Sequence, residues 1–284
     1  MPISDSPIPL GTYDVFRDVK SWDKQTANQW AEALNLRSSA DDQKSLRSQL
    51  LKLADVKLNQ TVVEIGCGTG ALLLDLASAV GPNGRVIGIE PQTVLAEFAK
   101  KTSGELNLSD IITVIADSAE QLTLPDAIAD SCFAQTVLIH LQPEICLKAL
   151  KEMVRIVKNG GRIISADQDG DTWIINHPER ELTRRIIQFN SDQRYADGWT
   201  GRRLESLFRS AGLINVKAVP HVHLDRERNS YLFGMAKRIA AAARDKGVLQ
   251  EEEYLLWSDG LEKVTENGEF FSSINYYNCT GLKP

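Results

Sequence analysis

The chain has 284 residues, 43% hydrophobic and 25% charged, the mix of a globular protein that can bury a core without disulfide or metal staples. Its 32 basic residues against 38 acidic ones leave a formal charge of −6, which disfavours a sequence-independent hold on nucleic-acid phosphates or anionic membranes. No run approaches 18 apolar residues, the start lacks a basic region followed by an apolar stretch, and Cys67, Cys132, Cys146 and Cys279 form no CxxC pair. The expectation is therefore a cytoplasmic protein without a membrane span, with free thiols and no zinc site, acting as monomer or homodimer on a small molecule rather than a nucleic acid.

Residues 1 to about 20 are rich in Pro, Ser and Gly and read as extended, with Tyr13, Phe16 and Trp22 available to dock on something. Residues 1–40 are expected to form an N-terminal helical or extended lid, and 41–284 the main domain. Leu46, Leu50, Leu53 and Ala54 recur at helical spacing and predict a helix over 41–56, capped by Ser38 or Ser39. Strand-like and helical runs then alternate: strand 61–65, helix 71–80, strand 85–90, helix 93–106, strand 111–115, strand 131–137, helix 143–157 opened by Pro143, strand 162–166.

That rhythm predicts an α/β fold, a doubly wound, mostly parallel sheet covered on both faces. Beyond residue 170 it loosens. Helices are expected near 179–189 and 202–211, a strand at 216–224, helices at 231–245 and 251–266, and a last strand at 270–277. The two helices between the final strands form an insertion, 226–268, placed to act as a lid. Tyr231, Leu232, Met235 and Ile239 make one apolar stripe on it, and Tyr254, Leu255, Trp257 and Leu261 a second.

Val63-Glu-Ile-Gly66-Cys-Gly68-Thr-Gly70 joins the first strand to the first long helix of the alternation. Glycines there let backbone approach a ligand, and a helix N-terminus presents unpaired N–H donors. The spacing Gly66, Gly68, Ala71 also satisfies a dinucleotide pattern, so the acids around it decide. Glu64 lies inside the first strand. Glu90 ends the second strand, where a carboxylate can take both ribose hydroxyls. Asp117 follows the third, placed either to accept from an adenine amine or to cap the next turn. A phosphate-free ligand with sulfonium and ammonium charges suits such an acidic pocket, and S-adenosylmethionine is that ligand.

Residues 61–166 resemble the class I methyltransferase core, with Glu64–Gly70, Glu90 and Asp117 matching its first three motifs. Gln135-Thr-Val-Leu-Ile-His140-Leu is similar to the fourth-strand motif of the quinone- and sterol-type branch. Asp169-Gly-Asp171-Thr172, Gly201-Arg-Arg-Leu204 with Ala211-Gly-Leu213, and Gly268-Glu-Phe270-Phe271 with Gly281-Leu-Lys-Pro284 look like one bacterial subgroup, so the resemblance covers roughly 40–284. It implies a Rossmann-like sheet of seven strands with the last antiparallel. The implied cofactor site is Glu64, Gly66, Gly68, Gly70, Glu90, Pro91, Gln92, Asp117, Ser118, Ala119, Gln135 and Thr136. Gly170 departs from the aromatic often found there, which is expected to open or reshape the substrate side.

Methyl transfer to an O, N or C atom rests on positioning, and a general base adds to it for a hydroxyl acceptor. His140, following the fourth strand at the carboxyl edge, is the candidate base, with packing or a hydrogen bond in that turn as the alternative. Tyr13, Asp167, Asp169 and Trp173 are expected around the acceptor. Asp167, Asp169 and Asp171 also invite a magnesium reading, but the calcium-loop pattern fails at Thr172 and Pro178. His221 and His223 share one face of a strand without a third ligand nearby. The expected chamber is enclosed and mainly apolar. The other reading is an enzyme of this fold that performs a different reaction, such as a cyclisation.

Overall fold

In the computed structural model, residues 11–284 are described, so the expectation for residues 1–10 of the lid lies outside the described residues. A first helix, α1 (Lys24–Ser39), is capped by Asp23, whose carboxylate accepts from Thr26 N at 2.7 Å. Its fully buried positions are Ala27 and Ala31, which with the half-buried Trp30 and Leu34 recur at helical spacing. Ser38 and Ser39 do not cap the next helix, α2 (Asp41–Ala54). Both lie inside α1, where their hydroxyls donate back to Asn35 O and Leu36 O. Ala40 makes the corner, and α2 stops two residues before its expected end, with Asp55 left-handed at φ 54°.

The alternation that follows is β1 (Thr61–Ile65), α3 (Ala71–Val80), β2 (Arg85–Ile89), α4 (Thr93–Glu105), β3 (Ile112–Ile115), β4 (Ala129–Gln135), α5 (Pro143–Ile156) and β5 (Val157–Gln168). A two-residue strand β6 (Ile174–Ile175), helices α6 (Arg180–Gln193) and α7 (Thr200–Ser210), and strand β7 (Ile214–Asp225) come next. The chain closes with α8 (Tyr231–Asp245), α9 (Glu251–Glu266) and β8 (Ser272–Leu282).

Strands run in the order β3-β2-β1-β4-β5-β8, with β7 beyond β8 and β6 paired to the start of β8. The five strands β1 to β5 are parallel, and β8 is antiparallel to both β5 and β7. The short β6 is the eighth strand of a sheet that otherwise has seven. Long ladders explain why β5, β7 and β8 exceed their expected lengths: β8 pairs on both sides, with β5 through Leu282 and with β7 through the same residue. Such two-sided pairing has no signal in local composition.

Side chains of the parallel strands alternate between two cores. Val62 and Ile164 join Leu46, Leu50, Leu72 and Leu76 on one face, while Val63 and Ile163 join Leu150, Met153 and Phe208 on the other. Chain order reverses between β1 and β4, the point where ligands of open α/β sheets bind, beyond the strands' carboxyl ends. No described helix is long and apolar enough to cross a membrane.

The α8–α9 insertion is anchored in the first core rather than laid over it. Trp257 is fully buried, stacks on His177 at 4.8 Å, and donates its indole N–H to Thr183 Oγ1 on α6 at 3.0 Å. The second apolar stripe is split, because Leu255 is 51% exposed while Trp257 and Leu261 are buried. Trp257→Ala should therefore cost about 3–5 kcal/mol of unfolding free energy, measured by urea denaturation. A loss below about 1 kcal/mol would mean that α9 docks peripherally.

Candidate functional site

At the reversal point the chain leaves β1 through three left-handed glycines, Gly66 (φ 65°), Gly68 (φ 54°) and Gly70 (φ 90°). A Cβ on Gly66 would lie 2.5 Å from Val137 Cγ2, so the close approach of this turn to the end of β4 admits only glycine. Gly70 caps α3 without a side chain, leaving the helix's first N–H groups for a ligand.

Two buried carboxylates flank the turn. Glu90, 4% exposed, accepts from Gly68 N at 2.8 Å and from Gln92 N at 2.9 Å, one bond per oxygen. Burial pushes its pKa up to about 7, with the two backbone N–H bonds pulling the other way. Glu64 is 3% exposed and its Oε2 has no partner. Burial holds this carboxyl well above its ordinary range, opposed by the charge of Arg47 and reinforced by that of Glu90.

A cavity of about 400 Å³ opens on these groups. Among the residues singled out from sequence, it brings together Glu64, Gly66, Gly68, Glu90, Pro91, Ser118, Ala119, Gln135, Thr136 and His140. Residues 15–21 of the N-terminal segment, α1 and α8 supply the opposite walls, the last through Tyr231, Met235, Arg238 and Ile239. The chamber is less apolar than its expected character, since Arg17, Lys20, Arg37, Arg47, Arg194 and Arg238 all line it.

Other candidates stand outside this lining. Gly70 packs on Ala99, and Gln92 caps α4 while its amide donates to Val19 O at 2.8 Å, tying the N-terminal segment down. Asp117 braces its own turn, accepting from Ser118 N and from Thr123 N and Oγ1. Tyr13 packs on Phe189, and Trp173 is buried with its indole N–H on Ser272 Oγ. Asp169 pairs with Arg202, which also reaches Asp171.

Asp167 lies beneath the floor, accepting from Ser165 Oγ at 2.8 Å and from Ile139 N at 3.2 Å. Burial pushes it up to about 7. Gly170 does not open the substrate side. It is packed so closely on α6 that a Cβ would lie 2.9 Å from Ser191 Oγ. His221 contacts Asp42 O at 2.8 Å, and neither it nor His223 lines the cavity. Among the described residues no group of three His, Cys, Asp or Glu could hold a metal ion.

S-adenosylmethionine, the cofactor implied by the resemblance, fits the groups present. Glu64 Oε2 is a buried acceptor without a hydrogen-bond donor, Glu90 keeps free lone pairs for a vicinal diol, and the glycine turn leaves room for backbone contact.

Sequence reasoning missed Asp14. His140 sits in a short 3₁₀ turn, Leu138–His140, after β4, and its Nδ1 lies 2.9 and 3.0 Å from the two oxygens of Asp14. A carboxylate only accepts, so Nδ1 carries the proton and Nε2 is left as the basic nitrogen. Asp14 is 7% exposed and also accepts from Phe16 N and Ala196 N. The two residues are 126 positions apart, and no local spacing connects them.

Residues 62–161 match a family described as a methyltransferase domain. An uncharacterised 37.1 kDa protein in transposon Tn4556 of Streptomyces fradiae is 29% identical over 247 residues, 84% of this chain and 67% of that protein. A demethylmenaquinone methyltransferase of Oceanobacillus iheyensis is 27% identical over 146 residues, and the match spans 50% of this chain and 59% of that relative. The YcgJ protein from Bacillus subtilis shares the fold at a TM-score of 0.59 and 18% identity, over 84% of this chain and 97% of that one.

Glu90 accepts a diol best when ionised, so affinity for S-adenosylhomocysteine should fall as pH drops below about 7, by at most about tenfold per pH unit. Glu90→Ala should weaken binding at least about tenfold, and Glu90→Gln should flatten the pH dependence. Calorimetry between pH 5.5 and 8.5 reads both, and a pH-independent wild-type affinity would remove Glu90 from the site.

Proposed function

We propose that this chain is a class I S-adenosylmethionine-dependent methyltransferase that methylates a small-molecule acceptor, with His140 as general base and Asp14 as its positioning residue. The observation that carries this reading is the Asp14–His140 pair on the wall of the cavity that also contains the glycine turn, Glu64 and Glu90. Walls from residues 15–21 and α8 around only about 400 Å³ suit a small molecule rather than a polymer. Relatives named demethylmenaquinone methyltransferases support the same class.

The cofactor supplies a methyl group already activated on a sulfonium. His140 Nε2 takes the acceptor's proton as its oxygen or other nucleophile attacks. Asp14 holds the imidazole in one tautomer and stabilises the cation formed. Phe16, with its ring centroid 4.5 Å from that of His140, and Tyr195, at 5.6 Å, exclude water around the base. Asp167 acts behind this group, fixing the backbone of the turn through Ile139 N.

Screening small phenolic and quinol acceptors for a one-methyl mass gain, with matching release of S-adenosylhomocysteine, tests the proposal directly. An acceptor converted without a mass gain, with the cofactor intact, would favour the cyclisation reading instead. For a methylated acceptor, His140→Ala should lower kcat by ~10²-fold or more with cofactor affinity nearly unchanged. Asp14→Asn should lower kcat and shift the acidic limb of its pH profile, whereas a merely structural aspartate would leave that limb in place. A drop below about threefold for His140→Ala would return the histidine to a packing role.

A further inference from the structure

The cavity wall built by α1, α6 and α8 carries three guanidinium groups that form no ion pair among the described residues: Arg37 on α1, Arg194 at the end of α6 and Arg238 on α8. The Nε atoms of Arg37 and Arg194 are buried without a hydrogen-bond partner. Between them in sequence position and on the same wall, Asn190 is 1% exposed, and both its amide oxygen and its amide nitrogen are unpartnered. Aromatic faces hold the cations in place: Arg238 lies 5.8 Å from the rings of Trp30 and Tyr231, and Arg37 lies 5.9 Å from Tyr231.

Tyr231 and Tyr195 offer hydroxyls to Arg37 and Asn190, but no carboxylate pairs with the three guanidinium groups and two Nε atoms stay unpartnered, a cost that an anionic ligand removes. The nearby carboxylates are already committed elsewhere. Asp14 serves His140 and two backbone N–H groups, while Glu90 accepts from Gly68 N and Gln92 N at the glycine turn. Burial draws the Arg194 guanidinium below its ordinary value and the charge of Arg238 adds to that, with Tyr195 and Asp14 pulling the other way. A planar fork of N–H donors matches carboxylate and phosphate oxygens. Tyr195, next in sequence to Arg194, has its ring 5.6 Å from that of His140, which places this cluster beside the candidate base.

We propose that the methyl acceptor carries an anionic group, a carboxylate or a phosphate, received by Arg37, Arg194 and Arg238 with Asn190, and that this contact holds the acceptor beside His140. This rests on the methyltransferase reading, and it narrows the substrate class to acidic small molecules.

Calorimetry on the full chain, with and without saturating S-adenosylhomocysteine, should compare benzoate, phenyl phosphate and neutral benzamide. At least one anion should bind about tenfold or more tightly than benzamide, and the tighter of the two anions identifies carboxylate or phosphate. Arg37→Met and Arg194→Met should each remove most of that preference while changing S-adenosylhomocysteine affinity less than about threefold. Arg194→Lys, which keeps the charge and loses the fork, should fall between wild type and Arg194→Met and covers the case of a variant that does not fold.

Benzamide binding as tightly as both anions overturns the proposal, as does an anion preference unchanged in both Met variants. Equal losses of anion and S-adenosylhomocysteine affinity would assign the arginines to the cofactor and also overturn it. A chain that fails to bind S-adenosylhomocysteine, yet still prefers the anions, would count against the methyltransferase reading alone.

Discussion

Asp14 cannot be buried alone. A carboxylate removed from water needs donors on both oxygens, and Asp14 finds them in three places: the imidazole of His140, the backbone of Phe16 and the backbone of Ala196. One side chain thereby joins the N-terminal segment to the turn after β4 and to the chain following α6. Gln92 adds a second tie, from the cap of α4 to Val19 O. With those contacts made, Val15 and Phe16 become wall and the carboxyl edge of the sheet becomes the floor of a chamber. An open strand edge would be only a generic ligand crevice.

Charge is sorted within that chamber. The buried acidic groups, Glu64 and Glu90, belong to β1 and to the residue after β2, at the glycine turn. The unpaired guanidinium groups belong to α1, the end of α6 and α8, none of which is part of the parallel sheet. Covering elements of such a fold can vary without disturbing the strands. Here the covers are still anchored firmly: Trp257 and His177 join the insertion to α6 and the core.

Several acids singled out from the sequence lie outside the cavity lining and hydrogen-bond or pair with protein groups. Asp167 holds Ile139 N, the residue before His140, and Asp117 ties its own turn so that Ser118 and Ala119 face the cavity. Asp169 is bound to Arg202. Carboxylates near a site often work this way, since an oriented backbone is itself a ligand and needs something to orient it.

The sequence alone determined the sheet and the glycine turn with its two neighbouring acids, because both are written in local pattern. Period-two and period-3.6 hydrophobicity located the strands and helices, including both helices of the insertion, and a glycine turn between strand and helix lies within a single short window. Glu64 and Glu90 were legible for the same reason, being close to strand ends. Only tertiary structure could decide what meets across the chamber. Asp14 is 126 residues from His140, and Arg37 is 157 from Arg194. Local periodicity reports which face of an element is buried. It carries no information about which distant polar group will share that burial, and it is such long-range pairing that brings Asp14 to His140.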